Sequence, residues 1–362
     1  MYEVYTPGHG LVTDSLIMHG IVRLYNVEEV ERVGDRYRIV GDFSKVRKDA
    51  LSLLREELNI YFKNEDAISN SSILGKIKDA NVNVAFTHKW MSYLRDALDR
   101  TNFGNLVSIF TPDHKDRAKE GRSKSESLYT LYLPLSHIHG KYSQYNYTLK
   151  NRQYMVCGAC FSLANIGLIY GTAVIKKETK TNTNMSVTLL SIIPGAKMSK
   201  TDLLLAQRFV RGKFVDLRTE LTVKATLLYA LSIGETLFSF GKEDCKPQVL
   251  IWRLENVGGS QRSIQPMTFE LGDLLKKIGK IKAEYPMFTK LVMELALTDE
   301  GALILDGLAE AIMFGYDEYH VLKEIVSLAQ ERDRDREKPK LSRGVIEGLS
   351  DLAKALISVR GY

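Results

Sequence analysis

The sequence predicts an α+β protein: a mixed α/β amino-terminal and central region followed by a carboxy-terminal antiparallel helical bundle. Three observations carry this. Short alternating strand patterns intersperse with helical ones up to about residue 265; every later apolar stretch has helical periodicity; and 362 residues with 44% hydrophobic content are too many for a single core. Two domains follow, 1–265 for nucleic-acid contact and 266–362 for the bundle.

Residues 9–25 recur apolar at three- and four-residue spacing through Leu11, Leu16, Ile17, Ile21, Val22 and Leu24, which predicts a helix. Arg36-Tyr37-Arg38-Ile39-Val40 alternates as a strand does, and Ser44 stands where a cap belongs before a helix to Phe62, with Leu51, Leu54, Leu58 and Phe62 on one face. A further helix is expected over 89–100. The charged stretch 113–127 reads as an exposed loop, and 128–135 as a strand closed by Pro134. A helix follows over 157–170, ended by Gly171. Strands over 172–178 and 185–193 are joined by Thr181-Asn182-Thr183-Asn184, and Pro194-Gly195 breaks the chain. Ser199 caps a helix to Val210, a longer helix is expected over 216–241, and 248–254 is a strand before the loop Gly258-Gly259-Ser260. From Phe269 onward five helical stripes follow, the last set by Val345, Leu349, Leu352 and Leu356. Helices of this length on short loops imply the bundle. The alternating charges of 331–338 read as a solvated helix.

Composition bounds the function. No run of about eighteen uncharged apolar residues appears, so no membrane partner is expected. Met1-Tyr2-Glu3-Val4-Tyr5 has no basic region leading into an apolar one, and three cysteines make no disulfide framework, so the expected location is the cytoplasm. The chain carries +6 overall, yet residues 141–224 alone hold thirteen Lys/Arg against four Asp/Glu. A field confined to one stretch implies a polyanionic partner.

That stretch opens with Lys141, Tyr142, Tyr145, Tyr147, Lys150 and Arg152, cations interleaved with rings that offer phosphate pairing and base stacking together. A second patch, Lys176, Lys177 and Lys180, lies by the predicted hairpin turn. A third, Lys200, Arg208 and Arg211, falls within an arc of roughly 80° on one helix. These form an electrostatic track. The bland reading of each is a Lys-rich surface with tyrosines chosen for strands.

Cys157-Gly158-Ala159-Cys160 is the one local motif with ligand chemistry. Its simplest reading is two thiols packed on a buried helix face. As a zinc site it needs four donors, and His137 with His139 would complete the set, Cys245 being a further thiol. No other cofactor is called for. There is no phosphate loop, HExxH or GxSxG, so no enzymatic centre is expected. The competing readings are a metal-dependent nuclease or nucleotidyl transferase using Asp113 or Glu178, and a protein-binding scaffold.

Leu131-Tyr132-Leu133-Pro134-Leu135, Gly140-Lys141-Tyr142 and Cys157-Gly158-Ala159-Cys160 ahead of Leu163-Ala164-Asn165-Ile166-Gly167-Leu168 carry a resemblance, as does Thr6-Pro7-Gly8 before an apolar helix. The chain resembles the large subunit of the archaeal type I-A CRISPR interference complex, the Csa-type Cascade. The resemblance implies antiviral defence without turnover by this subunit. It also implies target DNA and guide RNA as partners, reading of a short adjacent motif, and holding of the displaced strand. The small subunit, the backbone subunit and a helicase-nuclease are its implied protein partners. Members with a fuller Cys/His set would bind zinc.

Overall fold

A computed structural model describes residues 1–67, 72–82, 86–114, 119–120, 128–137, 154–177, 184–211, 217–234, 246–257, 260–315, 319, 321, 323–324, 327 and 343–360. It is α+β with small antiparallel sheets, as the sequence predicts. The chain forms two compact units, Met1–Lys213 with Lys242–Phe269, and Phe214–Gly241 with Glu270–Tyr362.

At the centre of the first unit two helices cross, α1 (Leu11–Leu24) and α6 (Gly158–Gly171). Both are buried around nearly their whole circumference, α1 including its polar Thr13, Asp14, Ser15 and His19, so neither presents a broad solvent face. Their backbones approach closely because glycine occupies the crossing. A Cβ on Gly167 would lie 1.8 Å from the carbonyl oxygen of Leu16, and one on Gly20 would lie 2.2 Å from that of Leu163. Among the described residues, the other α-helices of this unit before α6 are α2 (Lys48–Lys63), α3 (Ile73–Ala80), α4 (Thr87–Arg100) and the single turn α5 (Leu106–Ile109). Trp90 of α4 donates from Nε1 to Asn165 Oδ1 of α6 at 2.7 Å and stacks on Tyr132.

Among the described residues, three sheets pack around this pair. The first contains β1 (Tyr2–Tyr5), β2 (Asn26–Val33), β3 (Arg36–Asp42) and β9 (Lys197–Ser199) in the order β1-β3-β2-β9. In β3 Tyr37 and Ile39 face the core while Arg36 and Arg38 alternate outward, where Arg38 pairs with Glu3 and Glu31 on the flanking strands. The second sheet runs β11-β10-β8-β7, with β7 (Ala173–Lys176), β8 (Asn184–Pro194), β10 (Pro247–Val257) and β11 (Ser260–Glu270). Its inner strands β8 and β10 are apolar in continuous runs, Leu189 to Ile193 interrupted by Ser191 and Val249 to Trp252 without a break. The third sheet sets β6 (Tyr154–Cys157) between β4 (Lys119–Glu120) and β5 (Leu128–Thr130).

The second unit holds α8 (Val223–Ile233), α9 (Leu271–Glu284), α10 (Phe288–Leu295), α11 (Asp299–Phe314) and α12 (Arg343–Arg360). Thr222 and Thr298 cap α8 and α11 through their hydroxyls. The stripe predicted for the last helix is buried at Val345, Leu349, Leu352 and Leu356.

Several local expectations are corrected. Ser44 does not cap α2: its N–H and hydroxyl both engage Asp42 Oδ1 in a turn closing β3, and the helix starts after Arg47. The strand expected over 128–135 ends at Thr130, and Pro134 sits in a 3₁₀ turn over Leu133–Leu135. Thr222 starts α8 later than the expected 216, while 235–241 lie outside the described residues. Within the expected exposed loop 113–127, His114 is buried and Lys119–Glu120 form a strand. β11 was not expected at all, because Pro266 and a polar alternation mask it; it is an edge strand, where a missing N–H is tolerated.

Candidate functional site

Helix α7 (Lys200–Val210) is fixed at its start by a capping box, Ser199 and Asp202 each bonding the other's backbone N–H. Leu203, Ala206, Gln207 and Val210 then turn inward, and Gln207 donates to the His19 carbonyl at 3.0 Å. That register leaves Arg208 and Arg211 exposed at the carboxy-terminal end. Lys200, at the other end, is half-buried and donates to Asn26 Oδ1.

The hairpin cations have different fates. Lys176 is engaged by Asp79 at 2.8 Å, an ion pair largely withdrawn from solvent. Desolvation there makes the pair a structural tie of β7 to α3 rather than a mobile surface charge. Lys177 follows it, half-buried. Lys141, Tyr142, Tyr145, Tyr147, Lys150, Arg152 and Lys180 lie outside the described residues, as does Glu178. Asp113 is exposed.

The cysteine pair meets two histidines that the sequence reading passed over. Cys157 ends β6 and is the N-cap residue of α6; Cys160 sits one turn in, fully buried. His114 Nε2 lies 3.2 Å from Cys160 Sγ and 3.5 Å from Cys157 Sγ. His114 is itself buried and stacks against Phe110. His9 completes the group, with ligand atoms of His9, His114 and Cys160 all within 4.8 Å of one another. It reaches in because Gly8 and Gly10 on either side adopt φ of 84° and 100°, conformations that residues with a Cβ rarely take. Asp14 holds the turn by accepting from the Gly8 N–H at 2.8 Å.

Hydrogen bonding to Cys160, opposed by burial and aided by His114, pushes the Cys157 thiol down to about 4. Of the histidines nominated from sequence, His137 is half-buried, and burial lowers its ring's basicity; His139 lies outside the described residues. The signal for His9 was the Gly8-His9-Gly10 triplet, a histidine held between two residues permissive for a reversed backbone.

The chain as a whole belongs to a recognised class of protein. The family profile described as CRISPR-associated protein (Cas_Csa4) matches residues 2–348. The chain is also 30% identical over 375 aligned positions to the CRISPR system associated protein Cas8 of Thermoproteus tenax, covering 98% of this chain and 97% of that protein. Both comparisons point to the large subunits of CRISPR interference complexes. The chain belongs to the Csa4 family of CRISPR-associated proteins and is a large subunit of the type I-A system. Among the described residues no helix is long and apolar enough to cross a membrane.

Proposed function

We propose that this subunit is a non-catalytic nucleic-acid-binding component of the type I-A interference complex. In this reading it contacts target DNA at the short adjacent motif, holds the displaced strand beside the guide RNA duplex, and recruits the helicase-nuclease in antiviral defence. Nucleic-acid contact falls to residues 1–265. The helices of 266–362 meet protein partners, the small and backbone subunits among them.

The observation that carries the reading is the confinement of the basic excess to residues 141–224 in a member of this family. The exposed Arg208 and Arg211 are consistent with it, because flexible cations at a helix end suit phosphate contact. Lys176 is removed from the track, its charge already matched by Asp79.

The test is binding of single-stranded and duplex DNA by fluorescence anisotropy across a salt series. Each duplex phosphate contact contributes about 0.9 to the slope of log affinity against log salt. The Arg208→Ala/Arg211→Ala pair is expected to flatten that slope by up to about 2, and replacement of Lys141, Lys150 and Arg152 by Ala to weaken binding without unfolding. Affinity independent of salt rejects the proposal.

A further inference from the structure

We propose that His9, His114, Cys157 and Cys160 form a closed structural zinc site that fastens the Gly8–Gly10 turn to the amino-terminal end of α6. The four donors come from three separate places: the β1–α1 connection, the segment after α5, and the β6–α6 junction that carries both cysteines. Local spacing brings only the two cysteines together; the fold sets His9, His114 and Cys160 within 4.8 Å of one another and holds Cys157 at the edge of that group, 3.5 Å from His114.

The spacing suits a metal. Zinc holds sulfur at about 2.3 Å and imidazole nitrogen at about 2.0–2.1 Å, so a tetrahedral site places nitrogen and sulfur about 3.5 Å apart. His114 Nε2 stands 3.2 Å and 3.5 Å from the two sulfurs. His9 Nδ1 lies 2.9 Å from the Tyr154 hydroxyl, an outer contact of the kind that fixes a ligating ring, which makes Nε2 the ligand atom. His9, His114 and Cys160 are 2%, 2% and 0% exposed.

Charge and softness select the ion. Two thiolates and two neutral imidazoles offset a divalent cation's charge on binding, which suits an enclosed position. Thiolate and imidazole donors favour zinc over magnesium or calcium. Four protein donors leave no open position for a substrate or water, so the metal's role is structural. The site would cross-link the ends of the two central helices, α1 through the turn that precedes it and α6 through its cap.

The experiment measures metal content of the full chain by mass spectrometry, then the absorption spectrum after chelation and cobalt exchange. One zinc per chain is expected, and cobalt should give thiolate charge-transfer bands in the near ultraviolet together with intense tetrahedral d–d bands. His9→Ala and Cys160→Ser should each lower zinc affinity at least about tenfold. Chelation should lower the thermal midpoint of the wild type. Should Cys160→Ser fail to fold, His9→Cys decides: it keeps the metal and strengthens the charge-transfer band. A chain that neither carries zinc nor shows a thiolate–cobalt band leaves four groups packed through hydrogen bonds alone and overturns the proposal. Zinc that survives His9→Ala/His114→Ala but is lost on His137→Gln/His139→Gln overturns it too, placing the ion on the other histidines. None of these readouts depends on nucleic-acid affinity.

Discussion

Replacing Gly167 with Ala probes the contact on which the first unit is built. In an isolated helix the change is favourable by about 1 kcal/mol, since alanine restricts the unfolded chain and glycine does not. Here the added Cβ would meet the Leu16 carbonyl oxygen at 1.8 Å and its carbon at 2.5 Å, and both are backbone atoms. Restoring an ordinary contact of about 3.4 Å requires α1 and α6 to separate locally by about 1.6 Å. That movement would propagate through a core already filled by Leu16, Ile17, Ile21, Leu163 and Ile166. Overpacking of this kind costs about 1–3 kcal/mol, and a backbone neighbour puts this case at the upper end. The net expectation is a loss of about 2 kcal/mol. Both tryptophans, Trp90 and Trp252, belong to the first unit and are fully buried, so urea denaturation followed by tryptophan fluorescence reads that unit. With a slope of about 3 kcal/mol/M, the midpoint should fall by about 0.7 M. An unchanged or higher midpoint would refute the reasoning, because helix propensity would then outweigh the close approach.

Two further predictions concern buried charge. Burial pushes the His19 ring down to about 4, while its Nε2 lies 2.9 Å from the Ile192 carbonyl oxygen. The folded state therefore prefers the neutral ring, and its contribution is complete above the ordinary value of 6.5 and lost as pH falls toward 4, about 3 kcal/mol over that window. His19→Gln should flatten the urea midpoint against pH across this range; parallel wild-type and variant curves would contradict it. Lys76 is buried and donates from Nζ to the Ile169 and Val210 carbonyls at 2.8 Å and 3.1 Å, near the carboxy-terminal ends of α6 and α7. Lys76→Met keeps the stem but leaves those acceptors without this donor, and should cost about 2 kcal/mol in the same assay. A neutral result would show that the ammonium contributes nothing net.

Signals confined to a few neighbouring residues were legible in the sequence. The apolar runs of α1 and α6, the Ser199 start of α7, the strands on either side of 181–184 and the stripe of the last helix each depend on local spacing. The same method misread Ser44, whose hydroxyl had a nearer partner in Asp42, and missed β11, where Pro266 is acceptable only because the strand lies at a sheet edge. Propensity cannot tell an edge from a centre; the neighbours decide.

The candidate sites divide along the same line. The charge excess of 141–224 and the Cys157–Cys160 spacing are properties of the linear chain. That Lys176 is matched by Asp79, that Arg208 and Arg211 stay in solvent, and that His9 and His114 approach the two sulfurs are not. Most helices and strands, and the place where positive charge gathers, follow from residues near one another in the chain. Which polar groups share a buried space is set instead by long-range packing. That depends on contacts between residues as distant in sequence as His9 and Tyr154, and on a crossing of α1 and α6 close enough to need glycine.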